Sequence, residues 1–480
     1  MGQEISGVHF NEADFQRFYD RLCEETALLK QFFAERRFTD EQLVSGFELE
    51  AWLMNQRFHP CPRNAQFIQK LINDFDNPLV SPELASFNVE FNYTPQVLTG
   101  RALSILHSEM QLLWEQGLST AHDMNCRLAM IGILPTVRQD DLCMANISAM
   151  KRYAALNEQV LRLRQGKPLQ LNIHGVDILH AEHDDVMLES ATTSFQIHLQ
   201  VPLDMALRAY NASIIVSAPL VAVTANSPFL FGKDLWAETR IPVFEQAVEV
   251  GGYGAVARGP LRRVTFGSGY ARKSIFEVFV ENLEHYPVLL PTLIDQPLEQ
   301  FANVRLHNGT LWRWNRPLIG IENGKHHLRI EHRVVPAGPS IVDSIANAAF
   351  YYGLASYHCQ CEIAPEAQLP FEIARDNFYH AAQYGLDAAL QWTDGRKHGV
   401  QHLLLHTLLP QAYEGLGLLG VADEDAKTYL GVIQSRTENG CNGAAWQRAF
   451  VAKHGADMQA LIEAYVERQN SGEPVHEWGL

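Results

Sequence analysis

The sequence predicts an α+β fold, and three observations lead to it. Runs with a period of two and runs with a period near 3.6 follow one another without regular β–α alternation, which argues against a doubly wound parallel sheet. From Ser340 to the end, helix signals dominate. No internal repeat and no low-complexity linker interrupts the chain, so its parts are expected to pack as one closely built unit. The expected division is a helical N-terminal segment over 1–43, a core over 44–340 and a helical C-terminal part over 341–480 packed on that core.

Residues 11–36 set Phe15, Phe18, Leu22, Leu28, Leu29 and Phe32 among charges, the spacing of an amphipathic helix. Val44–Met54 alternates as a strand does, with Phe47, Leu49 and Ala51 on one side and Glu48, Glu50 and Trp52 on the other. A helix is expected over 63–76, a strand over Phe87–Tyr93 ending at Pro95, and a long helix from Leu98 to Gly117. Residues 145–165 read as helix, 169–178 as strand, and Thr192–Val201 as a further alternating strand. A helix opens near Pro202–Asp204, leads into the apolar run 212–224, and is closed by Ala225–Pro228. Residues 251–273 hold six glycines and read as a mobile loop; His326–Val335 is the last strand expected.

The chain has 480 residues, 47% of them hydrophobic, which is ample for a large core. Its net charge of −17 excludes an extended basic surface for nucleic acid, so any anionic ligand needs a local basic pocket or a bound cation. The seven cysteines are scattered, odd in number and without framework spacing, as expected for reduced thiols in a cytoplasm. The first residues, MGQEISGVHFNEADF, carry acids and no apolar core, unlike a signal peptide. The most apolar run, around Ile214–Val223, is short for a bilayer and contains Pro219, so no membrane association is expected.

Carboxylates on strand-like segments carry the functional reading. Glu48 and Glu50 are two apart and project to one face. Glu331 shares a side of its strand with Arg329 and Arg333, Glu83 and Glu90 flank the turn into the second strand, and Glu189 precedes the third. Several carboxylates gathered on one sheet face repel one another. Divalent cations remove that repulsion, and oxygen-rich ligation suits Mg²⁺ or Mn²⁺ better than zinc. The plainer reading, each acid alone on a solvent-facing edge, is what any half-exposed strand shows, and spacing does not separate the two.

The stretches GFELE at 46–50, PELASFNVEFNYTP at 82–95, ATTSFQIHLQVP at 191–202, ANSPFLFG at 225–232, WRWNRP at 312–317 and LRIEHRVVPAGPS at 328–340 form an ordered set. That set resembles the glutamate–cysteine ligases of the plant and proteobacterial type, carboxylate–amine ligases of the glutamine synthetase superfamily. The resemblance implies a curved antiparallel sheet, a partial barrel, whose concave face holds ATP and Mg²⁺ or Mn²⁺. It implies Glu48, Glu50, Glu83, Glu90 and Glu331 as metal ligands, with Glu189 a less specific match. On the strand where many superfamily members carry His-x-His, this chain has Gln196-Ile-His198; both are candidate ligands, and which of them meets metal stays open. Arg316 and Arg333 are implied as the arginines on the transferred phosphate, and Arg240 as the partner of the substrate carboxylate. Arg329, Arg272 and Lys273 are assigned to ATP. The last two belong with Arg258, Arg262 and Arg263 to the glycine-rich segment, which is either a lid over ATP or a solvated loop.

The chemistry implied is ATP-dependent activation of the γ-carboxylate of glutamate as an acyl phosphate, followed by attack of an amine, cysteine in the family's best-known members. Partners would be these small molecules alone, and a homo-oligomer is compatible with the sequence. Three rivals stay open. One is a ligase for another acid and amine. Another is a guanidino phosphotransferase, which would need a reactive cysteine that the matched strands lack. The third is a catalytically silent nucleotide or amino-acid sensor.

Overall fold

In the computed structural model, residues 4–5, 7–39, 42–250 and 262–480 are described. The helix expected at the start spans Glu12–Ala34 (α1), opened by a capping box in which Asn11 and Asp14 exchange side-chain and backbone hydrogen bonds. Val44–Met54 forms β1, and its alternation holds in space. Phe47, Leu49, Ala51 and Leu53 enter one apolar core, while Trp52 and Met54 enter a second on the other side.

Among the described residues, seven further strands complete the sheet: β2 (Val80–Pro82), β3 (Asn88–Asn92), β4 (Gln96–Val97), β5 (Arg127–Ala129), β6 (Phe195–Val201), β7 (Asn315–Glu322) and β8 (Lys325–His332). Their order is β7-β8-β6-β1-β3-β2, with β4 and β5 pairing on β1, and every pair is antiparallel. The sheet curls into a half-barrel, as right-handed strand twist favours. Register sets Glu50 opposite Glu90, Glu48 opposite Gln196, and His198 opposite Glu331, so the acids of separate motifs become neighbours.

Behind the sheet lie α3 (Ala102–Asp123), α5 (Leu203–Thr224) and α9 (Ile341–Gln360), all in one core with the apolar face of β1 and β6. The apolar run read as too short for a bilayer belongs to a 22-residue helix that is long and apolar enough to cross one. Its most apolar window is 89% buried inside the protein, so it is the central core helix. Its Ser213, Ser217 and Thr224 hydroxyls donate to carbonyls four residues back, and Ser217 also accepts from Asn315 at 2.9 Å.

Other boundaries moved as well. The strand expected over 169–178 is a hairpin, Leu169–His174 against Ile178–His183, and a second unpredicted hairpin joins Ala389–Gln391 to Lys397–Gly399. The C-terminal helices share the core of the sheet region. Arg436 and Asp343 form a fully buried pair at 2.6 Å, and Gln469 Nε2 donates to the Met130 carbonyl at 2.8 Å. Buried Glu25 of α1 accepts from the Asn303 and Val304 amides, both at 2.9 Å, and so caps α8 (Ala302–Gly309), a helix that reaches the site.

Candidate active site

The polar face of β1 opens on a cavity of about 280 Å³, and the strand acids predicted from sequence line it: Glu48, Glu50, Glu83, Glu90 and Glu331. They fall into two clusters. Glu48, His198 and Glu331 each bring a ligand atom within 4.8 Å of the others, and so do Glu50, Glu83 and Glu90. His198 Nε2 lies 3.4 Å from Glu48 Oε1 and 4.0 Å from Glu331 Oε1. Both of its ring nitrogens are buried without a hydrogen-bond partner, a costly state that a cation between these groups would relieve.

Of Gln196 and His198, it is His198 that stands between two carboxylates. The Gln196 amide is committed elsewhere: its Nε2 donates to Glu50 Oε1 at 2.9 Å and its oxygen accepts from Arg333. Gln196 lines the cavity and orients a carboxylate and a guanidinium. Glu50 also accepts from the Ser194 amide at 2.7 Å and hydroxyl at 2.9 Å. Glu90 accepts from Ser81 and Asn92, both at 3.0 Å. These bonds fix the carboxylates from behind, as supporting groups do around metal ligands.

The electrostatics divide the two clusters. At Glu331 burial opposes ionisation, but Arg316 at 2.8 and 3.0 Å and Arg333 at 3.1 Å overcome it and hold the carboxyl at about 2. Burial pushes Glu50 up to about 7, with Glu90 adding to the rise against Arg333 and Ser194. Burial raises Glu83 well above the usual range, helped by Glu90, Glu50 and Glu189. Glu189, in the helical turn Val186–Ala191, is lifted to about 8 by burial and by Glu50. A group of carboxylates in mutual repulsion is built for added positive charge.

Arg316 on β7, Arg329 on β8 and Arg333 just beyond β8 all line the cavity, as expected. Three other expected site residues stand off the cavity wall. Arg240 is 2% exposed and outside the cavity wall. Its guanidinium donates to Glu238 at 3.1 Å and to the carbonyls of Arg333 and Val334, so it braces the end of β8. Arg272 and Lys273 are exposed and away from the wall; their amides are tied to the Glu277 carboxylate at 3.0 and 2.6 Å. Arg263 is buried on the Thr310 and Pro287 carbonyls, Arg262 pairs with Glu245 at 3.4 Å, and residues 251–261 of the expected lid, with Arg258, lie outside the described residues.

Helices supply wall residues that no strand pattern announced. Arg152 and Tyr153 come from Lys151–Leu163 (α4) and Arg305 from α8. An apolar section is formed by Phe279 of Phe276–His285 (α7), Ala302 and Leu306 of α8, and Leu318 and Ile319 of β7. Trp312 belongs to the wall, whereas Trp314 is fully buried with its indole N–H on Glu245 at 2.9 Å.

Comparison with known proteins agrees with this geometry. The sequence model of glutamate-cysteine ligase family 2 matches residues 44–467. No curated protein matches. Among solved structures, the glutamate–cysteine ligase of Francisella tularensis in complex with AMP superimposes with a TM-score of 0.54 at 10% identity, over 91% of this chain and 90% of that one. A bifunctional glutathione synthetase from Pasteurella multocida gives 0.51 at 11% identity, over 93% of this chain and 55% of that one. At such identities the two structures speak for the fold, while the family match runs across both acidic clusters and most of the C-terminal helices; the chain belongs to glutamate-cysteine ligase family 2.

Proposed function

We propose that this protein joins the γ-carboxylate of glutamate to the amino group of cysteine at the expense of ATP. The observation that carries the reading is the pair of acidic clusters, one of them holding a buried imidazole with two unpartnered nitrogens, beside arginines locked on Glu331. Glu48, His198 and Glu331 would hold one Mg²⁺ or Mn²⁺, and Glu50, Glu83 and Glu90 another. Such cations, when bound, neutralise phosphate charge and remove the carboxylate repulsion.

The chain's own groups do the rest. A carboxylate is inert to amines until a carboxylate oxygen takes the γ-phosphoryl group and ADP leaves; the amine then expels phosphate and loses a proton. Arg333 and Arg316, preorganised by Glu331, face the charge that builds on the transferring group. The apolar section from α7, α8 and β7 suits an adenine ring, with Arg305 and Arg329 beside it for the phosphates. With Arg240 committed inside the fold, Arg152 is the wall guanidinium next to Glu83 that suits the α-carboxylate of glutamate. The seven thiols are free, which accords with work in the cytoplasm.

The test is ADP release with glutamate against a panel of amines, with mass spectrometry of the product. The reading expects γ-glutamylcysteine. ADP release with another acid and never with glutamate removes the substrate names, and absence of nucleotide turnover with every pair removes the ligase.

A further inference from the structure

Away from the cavity, three histidines follow one another at intervals of four: His398 in the middle of the Lys397–Gly399 strand, His402 on the helical turn Val400–Leu403, and His406 on the π-helical turn Leu404–Leu408. The ligase reaction uses none of them. His402 and His406 are exposed, with ring centroids 4.4 Å apart, and His402 lies 6.3 Å from His398. The π turn has a reason to matter here. With more residues per turn than an α-helix, it carries residue 406 closer to directly above residue 402, and such turns recur at functional sites.

We propose that His398, His402 and His406 form a surface site for a late first-row transition ion, with Zn²⁺ as the reference ion. Imidazole nitrogen favours Zn²⁺, Cu²⁺ or Ni²⁺ over Mg²⁺, so a set of three imidazoles differs from the cavity clusters, one of which has a single imidazole, His198, and the other none. Nitrogen ligands at zinc distance and tetrahedral spread put neighbouring ring centroids about 5 Å apart. The separations of 4.4 and 6.3 Å straddle that value. The rings stack rather than converge, and their nitrogens do not yet lie together as those of the cavity clusters do; two of the three are exposed, and binding requires their side chains to rotate toward His398. His398 is already oriented: its Nε2 lies 2.9 Å from an Asp394 carboxylate oxygen, which leaves Nδ1 to face an ion. A carboxylate behind a ligating imidazole fixes the ring and raises its basicity. A water would complete the fourth position. An ion bound there ties the hairpin 389–399 to the helix that follows it and adds stability by mass action.

The full-length protein carrying His198→Ala, which takes the one imidazole out of the cavity clusters, is titrated in excess Mg²⁺ with Zn²⁺ by equilibrium dialysis and with Cu²⁺ by electron paramagnetic resonance. It binds at micromolar free Zn²⁺ and shows nitrogen hyperfine structure with Cu²⁺. Adding His402→Ala and His406→Ala removes both signals, and adding Asp394→Asn weakens Zn²⁺ binding about tenfold. Turnover with Mg²⁺ is the same in wild type and in a His402/His406 variant that keeps His198. Retention of both signals when His402 and His406 are replaced, their absence from His198→Ala alone, or binding only at millimolar Zn²⁺ overturns the proposal.

Discussion

Glu83→Gln separates a catalytic cluster from a structural one, because the two roles predict opposite changes in stability. The side chain has one weak internal bond, from the Leu84 amide at 3.3 Å, which a glutamine oxygen can keep. What it contributes is charge, packed with Glu50 and Glu90 within 4.8 Å. At an effective dielectric near 20, two unit charges at such a separation repel by about 3 kcal/mol. Arg152 offsets part of that, and protonation caps it, since Glu83 sits well above the usual carboxyl range. The net gain from removing the charge in metal-free protein at pH 8 is about 1–3 kcal/mol, which for a chain of this length raises Tm by about 1–3 °C. On the proposed function the same change removes a cation ligand, so the Tm rise on adding Mg²⁺ shrinks and kcat for ligation falls about 100-fold or more. Thermal unfolding with EDTA and with millimolar Mg²⁺, beside a coupled ADP assay, reads both effects. A lower Tm without metal, together with an intact Mg²⁺ response and wild-type turnover, refutes the reasoning.

Arg333→Lys keeps a charge but loses the planar fork that bonds Glu331 and Gln196. It lowers kcat about 100-fold with a much smaller change in KM for ATP, measured by steady-state kinetics. Arg240→Ala leaves Glu238 buried without its cation and costs about 3–5 kcal/mol of stability, seen in Tm, while KM for glutamate in the folded fraction changes little; a KM effect without a Tm effect restores Arg240 to the substrate. The Mg²⁺-induced rise in Tm grows from pH 6 to pH 8.5. Glu50 and Glu189 have folded values of about 7 and 8, above their unfolded values, so the stability they contribute is present at low pH and is lost as pH rises through those values unless a cation replaces the proton. Comparing plus and minus Mg²⁺ at each pH cancels the other titrations, and a rise that is flat or reversed contradicts the cluster assignment.

How far the sequence could be read follows from which features are local. The alternation of Val44–Met54 depends only on the period of a strand, so Glu48 and Glu50 were placed on the correct face. The partition of the acids was not legible. Glu48 with His198 and Glu331, and Glu50 with Glu83 and Glu90, depend on the register of β1 against β3 and β6 and of β6 against β8. Arg240 is a different case. It follows a motif that matches the family, but a position along the chain does not say where a guanidinium points, and here Glu238 and two carbonyls claim it. Arg152 and Arg305 stand on helices whose approach to the sheet leaves no mark in local periodicity. The apolar run of α5 was read short because Pro219 was taken as an interruption, whereas the helix continues through it.

The most direct test of the central claim follows oxygen rather than rate. Glutamate labelled with ¹⁸O in its γ-carboxylate is turned over with ATP, Mg²⁺ and cysteine, and the phosphate released is analysed by mass spectrometry. An acyl phosphate requires one labelled oxygen to leave with phosphate for each amide formed, with ADP as the nucleotide product. Unlabelled phosphate, or AMP with pyrophosphate in place of ADP, contradicts the account.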